Sequence, residues 1–150
     1  MAIRRSVVLA VCIGLLVSLS AVSSRTEPAK AAPGTMWVLL NHVKADQRTS
    51  FETFAYERLL PALKKGAAAD PLLKKVHAQT RMLVPKEANA DGTYTYIWLM
   101  DPVVPGADYA YRAILERAYS KQETDAAIAL MEGSMAGPQV GYTVSSSGRW

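Results

Sequence analysis

The period of the hydrophobic pattern changes several times along the chain, and each change marks an element. Residues 36 to 43 (MWVLLNHV) are apolar almost throughout, which predicts a strand buried on both faces. Lys44, Ala45 and Asp46 turn the chain, with Asp46 as a helix N-cap. From Gln47 to Leu60 the spacing is helical, and Phe51, Phe54, Ala55 and Leu59 share a stripe. Pro61 is expected to end or kink that helix, with one more turn before Gly66 stops it. Residues 67 to 75 read as a connector, in which Asp70-Pro71 caps a short turn. Alternation returns from Val76 to Val84, which predicts a strand with His77 and Arg81 on its polar face. The loop from 85 to 92 ends in Asp91-Gly92, a hairpin signal.

The next stretch, Thr93 to Tyr109 (TYTYIWLMDPVVPGADY), is the most informative in the chain. Tyr94, Tyr96, Trp98 and Met100 fall on one face of a strand, while Thr93, Thr95, Ile97 and Leu99 fall on the other. A Pro-Gly loop then feeds a helix from about Tyr109 to Tyr119, capped by Asp108, with Ile114, Leu115 and Ala118 on its apolar side. Ser120 with Glu123 forms a capping box and restarts the helix from Lys121 to about Met135. Its stripe is Ala127, Leu130, Met131 and Met135. Gly137-Pro138 ends it, and residues 139 to 145 form a last strand.

The order is βαββαβ. It predicts an α+β, ferredoxin-like fold: a four-stranded antiparallel sheet with helices on one face. The other face is then bare and apolar, which implies a partner, most simply a second copy of the chain.

The N-terminus changes the composition that matters. Arg4 and Arg5 precede the uncharged run SVVLAVCIGLLVSLSAV, and small residues follow at Ala21, Ser23 and Ser24. This is the pattern of a secretory signal peptide over residues 1–24, with cleavage after Ser23 or Ser24, and an uncleaved anchor is the alternative. Residues 25–34 read as a linker, 35–145 as the folded domain and 146–150 as a tail. Secreted or periplasmic localisation follows, without a stable membrane anchor after cleavage. The chain carries 17 Lys+Arg and 13 Asp+Glu; removing Arg4 and Arg5 leaves 15 against 13, a net charge of +2. That balance gives no support for a nucleic-acid partner. The single Cys leaves with the signal, so the exported chain has no disulfide and no thiolate nucleophile.

The segments WVLLNHV, GTYTYIWLMDPVVPGADY and AGPQVGY, within residues 36 to 142, resemble the dimeric α/β-barrel superfamily, in which two ferredoxin-like subunits join their sheets. In particular they look like a family of small proteins of this fold that carries no established activity. The resemblance implies a homodimer through the sheet face. It also places the chain near cofactor-independent monooxygenases of antibiotic biosynthesis and haem-degrading monooxygenases. The haem-degrading branch uses an Asn near the first strand, a Trp near the end of the third and a His on the second helix. Asn41 matches the first, Trp98 matches the second loosely, and no His follows His77. Haem is therefore not predicted, nor any other cofactor.

The candidate chemistry is sparse. His42 and Asn41 end the first strand and are the candidate catalytic residues, His42 as a general base and Asn41 as an orienting amide. Neighbours on a strand point to opposite faces, so only one of them can enter a given cavity. The alternative is a hydrogen-bonded histidine at a strand end. His77 and Arg81 would bind an anion together or form a solvated face. His42 and His77 are the only histidines and make no metal site on their own. Tyr94, Tyr96 and Trp98, closed over by Tyr109 and Arg112, are the candidate ligand pocket; the alternative is core packing. Helical spacing from Tyr109 excludes Tyr111 from that pocket. Asp101 reads as a turn residue, with a base at the pocket mouth as the alternative. The reading these residues support is an exported protein that binds a small apolar or aromatic molecule. A cofactor-independent monooxygenase-like enzyme and a ligand-free interaction protein are the alternatives.

Overall fold

In the computed structural model, residues 34–145 are described. The signal peptide, most of the linker and the tail lie outside them. Strand β1 (Thr35–Val43) occupies an inner position of a four-stranded sheet of order β2-β3-β1-β4. β2 is Thr80–Leu83, β3 is Tyr94–Met100 and β4 is Val140–Ser145. Every neighbouring pair is antiparallel. With its helices on one side, this is the ferredoxin-like α+β fold that the order of elements predicts.

The register settles which residues share a face. Asn41 lies opposite Tyr96, Leu39 opposite Trp98 and Trp37 opposite Met100, so these six side chains form one surface. Tyr96, Trp98, Met100, Asn41 and Trp37 are buried, under the helices. The aromatic face of β3 therefore looks inward. On the other face lie Val38, Leu40, His42, Ile97 and Leu99, with Tyr142 and Val144 of β4. β1 is consequently buried on one face only; its second face is half-buried.

After a 3-10 turn at Ala45–Gln47, in which Asp46 makes no side-chain cap, one helical run crosses the sheet. It comprises α1 (Arg48–Glu52), a π-helical segment (Thr53–Leu59) and α2 (Leu60–Ala69). Its expected stripe of Phe51, Phe54, Ala55 and Leu59 is buried. Pro61 does not end the run. Proline lacks the N–H that would bond to the carbonyl four residues back and crowds it. That carbonyl belongs to Glu57, inside the wider π-turns, and the Tyr119 hydroxyl donates to it at 3.4 Å and to the Arg58 carbonyl at 3.3 Å.

Two further expectations are corrected. Gly66 does not stop the helix, which continues to Ala69. The predicted strand from Val76 begins only at Thr80, because α3 (Pro71–Gln79) occupies the preceding residues. Asp70 caps α3 fully: its Oδ1 accepts from the Leu72 N–H at 2.8 Å and the Leu73 N–H at 3.4 Å. Pro71 takes the first helical position, and Leu73 and Val76 bury the inner side. His77 is thus on a helix and Arg81 on a strand, and they do not share a face.

The second half follows expectation more closely. Gly92 has φ +80°, which the hairpin loop requires and glycine tolerates. Helix α4 (Tyr111–Glu116) starts two residues late; Asp108 instead accepts the Ala110 N–H at 2.8 Å. The capping box of α5 (Lys121–Ser134) is present in both directions, Glu123 N–H to Ser120 Oγ at 3.3 Å and Ser120 N–H to Glu123 Oε2 at 2.9 Å.

Gly66 sets how closely α2 and α3 approach. A Cβ there would lie 2.6 Å from Leu73 Cδ1, whose side chain is buried. Gly66→Val is expected to lower stability by about 1–3 kcal/mol through overpacking. A reduced urea midpoint at constant slope is the expected observation, and an unchanged midpoint would mean that Leu73 yields without cost.

Candidate functional site

Between the inner sheet face and the helices is a void of about 40 Å³. That is space for a few waters or a compact ligand group. The sheet contributes Leu39, Thr80, Trp98 and Met100, and the helical run contributes Leu59, Leu60 and Leu63. Val76 of α3 and Tyr109, Tyr111 and Ile114 of the β3–α4 region complete the wall. Among the described residues, no charged side chain lines it. A larger hollow of about 120 Å³, lined by Arg58, Glu123, Ala126, Ala127 and Leu130, lies away from the sheet.

The surface that faces the void is almost wholly apolar, but two polar atoms of its wall residues stand out. Trp98 Nε1 and Thr80 Oγ1 are buried and have no hydrogen-bond partner among the described residues. Thr80 lies opposite Met100 and Met82 opposite Trp98, so Thr80 and Trp98 are diagonal neighbours on the inner face.

The two tyrosines of the wall are held by their hydroxyls. Tyr109 accepts the Val104 N–H at 2.9 Å, and its ring meets the Trp37 ring edge-on at 5.2 Å. Tyr111 accepts from Gln139 Nε2 at 2.8 Å and packs edge-on against Phe54 at 5.5 Å. Burial pushes the Tyr111 phenol up to about 12, and the Gln139 amide pulls it back slightly. Burial likewise raises Tyr109, against the Val104 N–H.

Of the five residues expected to line a pocket, Trp98 and Tyr109 do so. Tyr96 is fully buried but lies further along the strand, with its ring 4.7 Å from Phe51. Its hydroxyl donates to Glu52 Oε1 and accepts from Arg48 Nε at 3.2 Å. Burial and then the Glu52 carboxylate raise the Tyr96 phenol, while Arg48 opposes them. The Arg48 guanidinium also lies over the Tyr94 ring, 4.1 Å from its centre. Tyr94 and Tyr96 therefore fasten α1 to β3. Arg112 is turned away from the void and pairs with Asp125 at 2.6 Å and Glu116 at 3.7 Å.

Asn41 and His42 do not come together. Asn41 is fully buried on the inner face, where it donates to the Tyr96 carbonyl at 3.4 Å and accepts from Gln139 Nε2 at 2.8 Å. Gln139 thus links Asn41 to the Tyr111 hydroxyl at the void. His42 is on the open face, with Nδ1 3.0 Å from Thr95 Oγ1. Asp101 is exposed and pairs with Arg81 at 3.6 Å. No group of three potential metal ligands is present among the described residues.

Tyr111 and Thr80 are the wall residues that sequence reasoning missed. Tyr111 was excluded by counting helical turns from Tyr109; with α4 starting at Tyr111, that count no longer applies. Thr80 falls on the same strand face as Met82, and the alternation there was the available signal.

Comparison with known proteins adds little chemistry. The chain is similar to the crystal structure of a proposed antibiotic biosynthesis monooxygenase from Caulobacter crescentus CB15. The two are 18% identical over 75% of this chain and 90% of that one, with a TM-score of 0.39. No family model matches the chain, and no curated protein matches it. The sheet order and register, rather than this likeness, carry the fold.

The raised phenols predict a pH dependence. An unfolded tyrosine ionises near ~10. Below that pH both states keep the proton and the stabilisation is complete. Above it the unfolded state loses its protons first, so stability falls as pH rises towards about 12, the value for Tyr111. A spectrophotometric titration should show a group of tyrosines ionising late in the folded protein and normally in urea. Uniform ionisation near ~10 in the folded protein would contradict the enclosed wall.

Proposed function

We propose that the protein is an exported, homodimeric small-molecule-binding protein whose ligand enters the void between sheet and helices. The observation that carries this reading is the aromatic face of β3. It faces the helices, yet Trp98 with Tyr109 and Tyr111 borders a void instead of a filled core. The void is far below the ~300–1,000 Å³ of drug-sized sites, so it suits a compact molecule or the end of a larger one. The catalytic pair considered for a monooxygenase-like enzyme does not meet there. His42 lies on the opposite sheet face, and the Asn41 amide is engaged by Gln139 and by backbone carbonyls. Native mass spectrometry of the exported protein tests the reading. A retained small molecule supports it, and repeated recovery of unliganded protein after exposure to small apolar compounds counts against it.

The open sheet face supports the dimer. Leu83, Tyr142 and Val144 on it are 47%, 53% and 40% exposed, around a half-buried centre of Val38, Leu40, Ile97 and Leu99. A contiguous apolar surface of this kind calls for a cover, and an isologous pairing of two sheets supplies one. Sedimentation at micromolar concentration should give a dimer. Ile97→Lys, which puts a charge at the centre of that face, should give a folded monomer. A wild-type monomer at that concentration would remove the sheet-pairing proposal.

Export rests on the N-terminal pattern. Intact-mass analysis of the secreted form should place its N-terminus at Ser24 or Arg25, and a retained Met1 would contradict cleavage.

A further inference from the structure

Deepening the pocket reading, and resting on it, we infer that Tyr111 is the gate of the void and that Gln139 is the latch that holds it shut. A guest reaches a space between sheet and helices only past the part of the wall that meets solvent. Leu39, Leu60, Thr80, Tyr109 and Tyr111 line the void and are also partly exposed. Leu39, Leu60 and Thr80 are small beside a tyrosine and stand on β1, α2 and β2, so their rotation uncovers little. The two tyrosines are fastened differently. Tyr109 is tied to Val104 of its own loop and packs on the buried Trp37. The Tyr111 hydroxyl is held at 2.8 Å by Gln139, an exposed residue of another segment, and that bond is open to water. An exposed hydrogen bond is the kind that opens first, because water replaces the lost partner.

The latch is seated from the core. Asn41 is fully buried, and its Nδ2 donates to the carbonyls of Tyr96 at 3.4 Å and Leu39 at 3.5 Å. Its Oδ1 is thereby turned to Gln139, which must offer an N–H and does so at 2.8 Å. A carboxamide nitrogen carries two hydrogens, and the second goes to Tyr111. The gate is free to turn once released. A helical side chain leans over the turn that precedes it. Tyr111 is the first residue of α4, so no helical turn stands there to confine it, and its ring rests edge-on against Phe54. The void of about 40 Å³ is therefore the latched state. Rotation of Tyr111 away from Phe54 adds the room of its ring, which lets a guest larger than the closed void pass.

The test follows the exchange of dissolved xenon between water and the full chain by xenon NMR. Gln139→Ala and Tyr111→Phe each remove one side of the bond. Each should raise the entry and exit rates together by at least about threefold, the order expected for one lost hydrogen bond. The double variant should be no faster than the faster single one, since both changes remove the same bond. Tyr111→Phe leaves Gln139 on Asn41, so it separates the latch from mere support of the core, and it decides alone if Gln139→Ala fails to fold by circular dichroism. Xenon binding with wild-type rates in Tyr111→Phe overturns the latch while leaving the pocket reading intact. A change confined to the exit rate overturns it as well, because affinity rather than passage has then changed. Absence of bound xenon in the wild type and in both variants overturns the latch and the pocket reading together.

Discussion

The antiparallel pairing of β1 with β3 is the constraint on which the rest of the protein depends. It runs over seven residue pairs, from Trp37 opposite Met100 to Val43 opposite Tyr94. Side chains alternate with period two, so this register assigns every residue of both strands to one of two faces at once. A slip of one residue would send Tyr96 and Trp98 to the open side and Ile97 and Leu99 beneath the helices. Asn41 helps to hold the register. Its amide is fully buried between the strands and bonds to the carbonyl of Tyr96, its partner in the pairing. Removing it would leave the Gln139 amide and that carbonyl short of a partner.

From that pairing the two surfaces of the domain diverge. The inner face is large, aromatic and polar-tipped. Towards the Tyr94 end its polar atoms are satisfied within the protein: Tyr96 with Glu52 and Arg48, and Asn41 with Gln139. Towards Met100, Trp98 Nε1 and Thr80 Oγ1 are buried without a partner among the described residues, and the residues that carry them border a void. The same strand thus serves as structural fastening at one end and as the wall of a void at the other. The outer face is aliphatic with isolated polar positions such as His42 and Arg81, a composition that suits another sheet better than it suits water.

Local signals were legible in the sequence wherever one mechanism dominated. The alternation of β3, the capping box of Ser120 and Glu123, and the stripe from Phe51 to Leu59 all appear as read, because each is set by neighbours within a few residues. The failures came where two mechanisms competed. Residues Val76 to Gln79 alternate as a strand would, but the Asp70 cap and Pro71 start a helix upstream that runs through them. Pro61 looks like a stop, yet the π-segment and the Tyr119 hydroxyl provide for the carbonyl it leaves unpaired. The site suffered from the same limits. Trp98 and Tyr109 were visible as large amphipathic residues near a turn. Tyr111 was lost to a two-residue error in the start of α4, and Thr80 is too ordinary a residue to single out before the sheet register is known.

The central proposal is that the void bordered by the inner face of β3 admits a guest, while the outer face pairs with a second copy. Xenon is small, apolar and electron-rich, and it binds dry or displaceable cavities of this kind. Diffraction from crystals pressurised with xenon should show an atom bound between Trp98, Tyr109 and Ile114. Density for xenon only on the outer sheet face, with the helix-facing space closed, would contradict the account.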